Sequence, residues 1–162
     1  MSRYSKFMAT LHLMVGLPCS GKTTLAKKLE QDLPALRLNL DEWHIPLFGQ
    51  DADEPEHDAR HNQIEMLLWR VASRALELGN DVILDYGLWA REEREDYRQR
   101  AKELGASSEI HYLDVPADEL LRRLEKRNLD ASDDIFFISP EMMKPWIAFF
   151  QKPMADELKR RD

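Results

Sequence analysis

Residues 16–23, Gly16-Leu17-Pro18-Cys19-Ser20-Gly21-Lys22-Thr23, satisfy the pattern G-x-x-x-x-G-K-[ST] in full. Average residue frequencies yield such an octet by chance in roughly one chain in two hundred of this length. Its surroundings narrow the reading. Leu11-His12-Leu13-Met14-Val15 is a short apolar run of strand length, and between Thr23 and Leu33 the residues Leu25, Ala26, Leu29 and Leu33 follow helical spacing. A glycine-bearing turn from strand to helix brings successive backbone N–H groups round to face an anion, and the helix adds the positive end of its dipole. Gly16, Leu17, Pro18, Cys19, Ser20, Gly21, Lys22, Thr23 and Thr24 are therefore expected to cradle phosphates, with Lys22 reaching the β- and γ-phosphates and the Thr23 hydroxyl ligating Mg²⁺. The plainer alternative is a tight turn with an incidental lysine, and it leaves the complete match unexplained.

The remaining chain continues the alternation. Leu36-Arg37-Leu38-Asn39-Leu40 reads as a second strand delivering Asp41 at its end, and residues 46–58 read as a solvated acidic loop. A long helix is predicted over Glu56–Leu78 with Gly79 as its stop, then a strand Val82-Ile83-Leu84 ending at Asp85. A charged helix over Arg91–Leu104 stops at Gly105. A fourth strand over Ile110–Val115 precedes a basic helix opened by Pro116 and running to about Asn128. Residues 129–139 read as a loop, and Ser139-Pro140-Glu141 as the N-cap and first turn of a last helix toward Phe150. Strands alternating with helices make one α/β domain over residues 1–162, a parallel sheet with helices on both faces.

Ligands of open α/β sheets bind outside the carboxyl ends of the strands, which places Asp41 and Asp85 at the expected site. Asp85 ends an apolar strand and is expected to hold Mg²⁺ or a water on it. Asp41 is expected to accept the proton of an attacking hydroxyl, against the alternative of a turn or cap aspartate. Arg123 and Arg127 share one face of the basic helix and would stabilise a transferring phosphoryl group, unless Glu119 simply pairs with them. Trp43, Trp89 and Arg91 are candidate acceptor-binding residues, each with an ordinary packing or surface alternative. His57 and His61 have i, i+4 spacing but no third zinc-protease element, and read as a surface pair.

Composition restricts partners. The net charge is −7, which disfavours polyanions such as nucleic acid or an anionic membrane surface. Asp51, Asp53, Glu54, Glu56 and Asp58 strengthen that expectation near the acceptor mouth. The single cysteine, Cys19, allows no intramolecular disulfide and points to a reducing, cytoplasmic compartment. No run approaches the roughly 20 apolar residues of a membrane span, and the N-terminal stretch lacks the apolar region of a secretion signal.

Four stretches together resemble the predicted-kinase branch of P-loop ATPases, whose relatives include zeta toxins, chloramphenicol phosphotransferase and the kinase domain of polynucleotide kinase. They are Gly16–Ala26, Val82–Arg94, Arg122–Asn128 and Ser139–Met142. The resemblance implies a P-loop NTPase three-layer sandwich of four or five strands, with ATP and Mg²⁺ as cofactors and a lid near 117–139. It also implies a general base at Asp41 and transition-state arginines at Arg123 and Arg127. Relatives commonly carry a fifth strand after the last helix, and none is legible before Asp162. The implied activity is transfer of the γ-phosphate of ATP to a hydroxyl of a small molecule by a monomer or dimer. A polynucleotide 5′-hydroxyl kinase, a zeta-toxin-like kinase and a non-catalytic ATP-binding switch are the alternatives.

Overall fold

The computed structural model describes residues 8–130 and 132–162, so the N-terminal stretch read as lacking a secretion signal falls largely outside the described residues. Four parallel strands, β1 (Thr10–Val15), β2 (Leu36–Leu38), β3 (Val82–Gly87) and β4 (Ser107–Tyr112), form one sheet in the order β2-β3-β1-β4. β1 and β3 are central, which explains their apolar sequences: a strand covered on both faces has no solvent side to alternate toward. Leu11, Leu13, Val15, Val82 and Leu84 enter one core, which the helices α3 (His57–Glu77) and α4 (Arg91–Glu103) help to form. Met14 and Ile83 point to the opposite face, where Ala26 of helix α1 (Lys22–Asp32) covers them. The strand-and-helix reading thus holds as a three-layer α/β fold.

α3 presents Ile64, Leu68, Ala72 and Leu76 to the core at four-residue spacing. Burying each of the larger side chains contributes roughly 1.5–3 kcal/mol. Both predicted glycine stops are Schellman caps. Asn80 N–H donates to the Ala75 carbonyl and Gly79 N–H to that of Leu76, both at 3.0 Å, and Ala106 and Gly105 repeat the pattern on Ala101 and Lys102.

Two elements differ from the sequence expectation. Residues 40–48 form a helix, α2 (Leu40–Phe48), so β2 ends at Leu38 and Asp41 lies in a first helical turn. Asn39 is the cause: its side chain accepts from the Glu42 N–H at 3.1 Å and caps the helix. β4 begins three residues earlier than expected, because Ser107 and Ser108 pair in register with Thr10 and Leu11 and are buried there.

Helices α5 (Ala117–Leu129) and α6 (Pro140–Phe149) pack together with Leu17 over the phosphate-loop end of the sheet. Beyond α6 the chain returns to the β4 edge. Arg161 makes an isolated antiparallel bridge with Ser108, with N–H···O distances of 2.7 and 2.9 Å. A single bridge residue therefore stands where a fifth strand was looked for. Among the described residues no helix is long and apolar enough to cross a membrane.

Candidate active site

β1 ends at Val15, and residues 16–21 turn tightly into α1. Gly16 N–H donates to the Gly87 carbonyl at 3.0 Å, tying the loop to the end of β3. Gly87 has a φ of +98°, and a Cβ there would stand 3.1 Å from the Gly16 carbonyl oxygen, so both the backbone conformation and the close approach favour glycine. The α1 N-terminus opens into a cleft of about 1060 Å³ over the carboxyl ends of β1, β2 and β3, where Lys22, Thr23, Asn39, Asp41, Asp85 and Arg127 converge.

Lys22 donates to the Leu17 carbonyl at 3.0 Å, folding back over its own loop. Burial pulls its pKa down, against the opposing pull of the Asp85 carboxylate. The Thr23 hydroxyl donates to Asp85 Oδ2 at 2.8 Å, leaving the threonine oxygen lone pairs for a cation. Asn39 Nδ2 donates to the same Oδ2 at 3.0 Å, and Arg37 Nη1 stands 3.6 Å from it. Asp85 Oδ1 is buried and has no partner among the described residues. An orphaned carboxylate oxygen beside a threonine hydroxyl fits a hydrated Mg²⁺, and Thr23 and Asp85 are the residues that would hold it. The buried Ser20 hydroxyl is orphaned too, inside the phosphate loop.

Asp41 lines the cleft from the first turn of α2. Burial raises its pKa, opposed by His61, Arg127, His44 and Lys22. A carboxyl raised above its ordinary value is better matched to accepting a proton near neutrality than an exposed one.

The two arginines of α5 separate. Arg127 lines the cleft, donating to the Phe136 carbonyl at 3.0 Å and lying 3.7 Å from Cys19 Sγ. Arg123 donates to Glu119 at 2.8 Å and to the Cys19 carbonyl at 3.2 Å, outside the cleft lining. The segment after α5, from Asp134 to Ile138, closes the side of the cleft facing α2.

The acceptor candidates part company as well. Trp89 lines the cleft and packs on Trp146 at a centroid distance of 5.4 Å. Trp43 is half exposed on α2 and does not line it. Arg91 does not line the cleft; its Nη2 donates to Asp156 of the C-terminal segment at 2.9 Å. The acidic loop is only partly the repelling patch expected from sequence: Asp53, Glu56 and Asp58 are exposed, Asp58 at the cleft, but the other two acids are engaged. Asp51 is buried against His44, His57 and Arg60, and Arg60 also pairs with Glu54 at 2.6 Å. Sequence reading missed Asn39, whose visible signal was the spacing Asn39-x-x-Glu42 of a helix cap. It also missed Phe136, for which no sequence signal existed.

Comparisons with known proteins bear on the fold. No curated protein sequence is matched. Among solved structures, a chain of the Pnkp1/Rnl/Hen1 RNA repair complex superposes with a TM-score of 0.74 at 21% identity over 91% of this chain. This chain spans only 45% of that one. Chaetomium thermophilum Kti12, solved with ADP-AlF3, gives 0.69 at 21% identity over 90% of this chain and 82% of its own. Mycobacterium tuberculosis APS kinase CysC, solved with AMPPNP and APS, gives 0.61 at 22% identity over 90% and 84%. At these identities the likeness establishes the fold, the three-layer α/β fold of P-loop proteins. The AAA domain family model matches residues 11–153, nearly the whole described chain, and the protein belongs to that family.

Proposed function

We propose that the protein is an ATP-dependent kinase that transfers the γ-phosphate to a hydroxyl group of a small molecule. One observation carries the reading: Asp41, a carboxyl with a raised pKa, faces the same cleft as Lys22, Thr23 and Asp85. A nucleotide switch needs the last three residues and has no use for the first. The volume lies at the upper end of the range for a single-ligand site, which leaves room for an acceptor beside the nucleotide.

In this mechanism the loop N–H groups and Lys22 hold the phosphates; Thr23 and Asp85 would hold Mg²⁺, which when bound would supply countercharge to the phosphates. Asp41 accepts the hydroxyl proton as the acceptor oxygen attacks the γ-phosphorus and the bridge to the β-phosphate breaks. Arg127 is the arginine best placed to stabilise the transferring group; Arg123 acts at one remove, by fixing the Cys19 carbonyl of the loop. Trp89 forms part of the acceptor wall. A polynucleotide 5′-hydroxyl acceptor is the second reading, favoured by the RNA repair likeness and by the pairing of Asp51 and Glu54 with Arg60.

The test is ADP release from ATP·Mg²⁺ with a pooled library of hydroxyl-bearing metabolites and antibiotics, alongside a 5′-hydroxyl oligonucleotide. Lys22→Ala and Asp41→Asn serve as controls. Acceptor-dependent ADP is expected from the small-molecule pool, abolished by the first variant and reduced about 10²- to 10⁴-fold by the second with ATP affinity retained. Undiminished turnover in Asp41→Asn would remove the base from the mechanism, and turnover only with the oligonucleotide would establish the second reading.

A further inference from the structure

Behind the cleft wall, three histidines and an aspartate form a chain that phosphate binding does not use. His44, on α2 and fully buried, lies with Nε2 2.7 Å from Asp51 Oδ1 and Nδ1 3.3 Å from His61 Nδ1 on α3. His57 Nδ1 stands 2.7 Å from the same Asp51 oxygen, and Arg60 Nη1 2.8 Å from the other. The rings of Phe48 and Phe136 close over His44 at 5.3 and 5.4 Å, so the chain is shielded from water on that side.

Proton positions follow from these contacts. Burial acts to raise the Asp51 pKa, but hydrogen bonds from His57, Arg60 and His44 prevail and hold it far below the usual carboxylate range. A carboxylate only accepts, so His44 Nε2 and His57 Nδ1 each carry a proton. A neutral His44 then has a bare Nδ1, and the nitrogen facing it, His61 Nδ1, must carry the proton between them. Neutral His61 is left with a bare Nε2, on the side of the ring away from His44. That atom has no hydrogen-bond partner among the described residues, and His61 lines the cleft together with Asp41. His57 lines the cleft too, but it is His61 that stands out electrostatically beside Asp41: after burial, each is the largest influence on the other's ionisation.

We propose that His61 is a catalytic residue of the acceptor site whose Nε2 takes up the proton released by the acceptor hydroxyl, with His44 and Asp51 as positioning residues. The inference rests on the kinase reading above. In the reaction the acceptor O–H bond breaks, its oxygen bonds to the γ-phosphorus, and ADP leaves as the β–γ bridge breaks. The proton passes to Asp41 and on to His61 Nε2. As it arrives, the Nδ1 proton of His61 shifts to His44 Nδ1, so the new positive charge settles on an imidazolium already paired with Asp51. The charge is never left unpaired in the protein interior, and Asp41 is returned as a carboxylate for the next turnover.

The groups facing His61 are Asp41 and His44 from α2 and His57 and Glu65 from α3. Arg127 and Lys22 act on it through Asp41. Burial, His44 and His57 keep His61 deprotonated, whereas Asp41 and Glu65 favour its charged form, and the net effect is a lowered pKa. His61 is then a free base at neutral pH and is lost as an acceptor as the pH falls.

Two measurements on the full chain test the proposal. Long-range ¹H–¹⁵N spectra of the histidines, recorded at neutral pH without acceptor, are expected to show His61 protonated at Nδ1 only and His44 at Nε2 only. An Nε2–H tautomer of His61 overturns the proposal whatever the protein phosphorylates. The second is the kcat–pH profile of His61→Asn, which keeps an N–H toward His44 but lacks the base. With whichever acceptor supports wild-type ADP release, kcat is expected to fall about 10²-fold, with the KM for ATP unchanged and the acid limb of the profile displaced. A kcat within about twofold of wild type and an unmoved acid limb would refute the role of His61 while leaving the kinase reading intact. Absence of acceptor-dependent turnover in the wild type defeats both, and the spectra then still report whether the proton chain exists.

Discussion

Replacing Arg94 by methionine removes a guanidinium while keeping much of its volume, and the surroundings set what that costs. Arg94 is fully buried on α4. It donates through Nε and Nη2 to the two oxygens of Glu157, at 2.8 and 3.3 Å, and through Nη1 to the carbonyls of Leu88 and Trp89 at 3.0 and 3.1 Å. Glu157 is fully buried as well, and its remaining hydrogen-bond donor is the Met154 N–H at 2.9 Å. Removing one partner of such a pair costs about 3–5 kcal/mol, and here the only ion pair left to Glu157 among the described residues is the longer one from Arg91 Nη1, at 4.0 Å. For a domain of this size each kcal/mol moves the melting temperature by about 2–4 °C, so a fall of roughly 6–20 °C is expected for Arg94→Met. Burial opposes ionisation of Glu157, but Arg94 and the Met154 N–H prevail and hold its pKa below the ordinary value. In the wild type the pair therefore contributes stability above the unfolded glutamate pKa near 4.3, and that contribution disappears as the pH falls through the lower folded value. In the variant the carboxyl keeps only the Arg91 contact and titrates higher, so its deficit should narrow between pH 7 and pH 5. Urea unfolding followed by circular dichroism at both pH values reads this out, and the double variant R94M/E157M should recover most of the loss. A double variant no more stable than Arg94→Met alone would show that the buried charge is not what the pair controls, and the argument would fail.

Two further outcomes follow from the site. Asn39→Ala removes the α2 cap, at about 1 kcal/mol by thermal melting, and one donor from Asp85. Mg²⁺-dependent ATP affinity should fall in titration calorimetry while metal-free nucleotide binding stays unchanged; equal loss in both conditions would place Asn39 outside the metal's support. Arg127→Ala should lower kcat by about 10²- to 10³-fold, and Arg123→Ala by much less, because only Arg127 lines the cleft. Equal steady-state losses would return the two arginines to one role.

What the sequence displayed and what it hid divide along the reach of the interaction concerned. The phosphate loop, the central strands and the glycine stops are local: each depends on residues within one turn or one strand, and each was readable. α2 was hidden by a conflict of local signals, since Pro46 and the extended look of Leu36–Leu40 outweighed the Asn39–Glu42 cap. The start of β4 was hidden for a different reason. Ser107 and Ser108 have no strand preference, and they pair because β1 lies alongside them. The acidic loop gives the sharpest case. By composition Asp51 belonged to a solvated run, yet it is buried by residues from α2 and α3, which also neutralise its charge. His57 and His61 looked like a bare surface pair because the partner that joins them, His44, sits 13 residues upstream of the first, in the helix that went unread. Losing α2 from the reading therefore hid most of the acceptor side of the cleft, Asp41 apart, and the Asn39 support of Asp85, while the phosphate loop, built from contiguous sequence, remained legible.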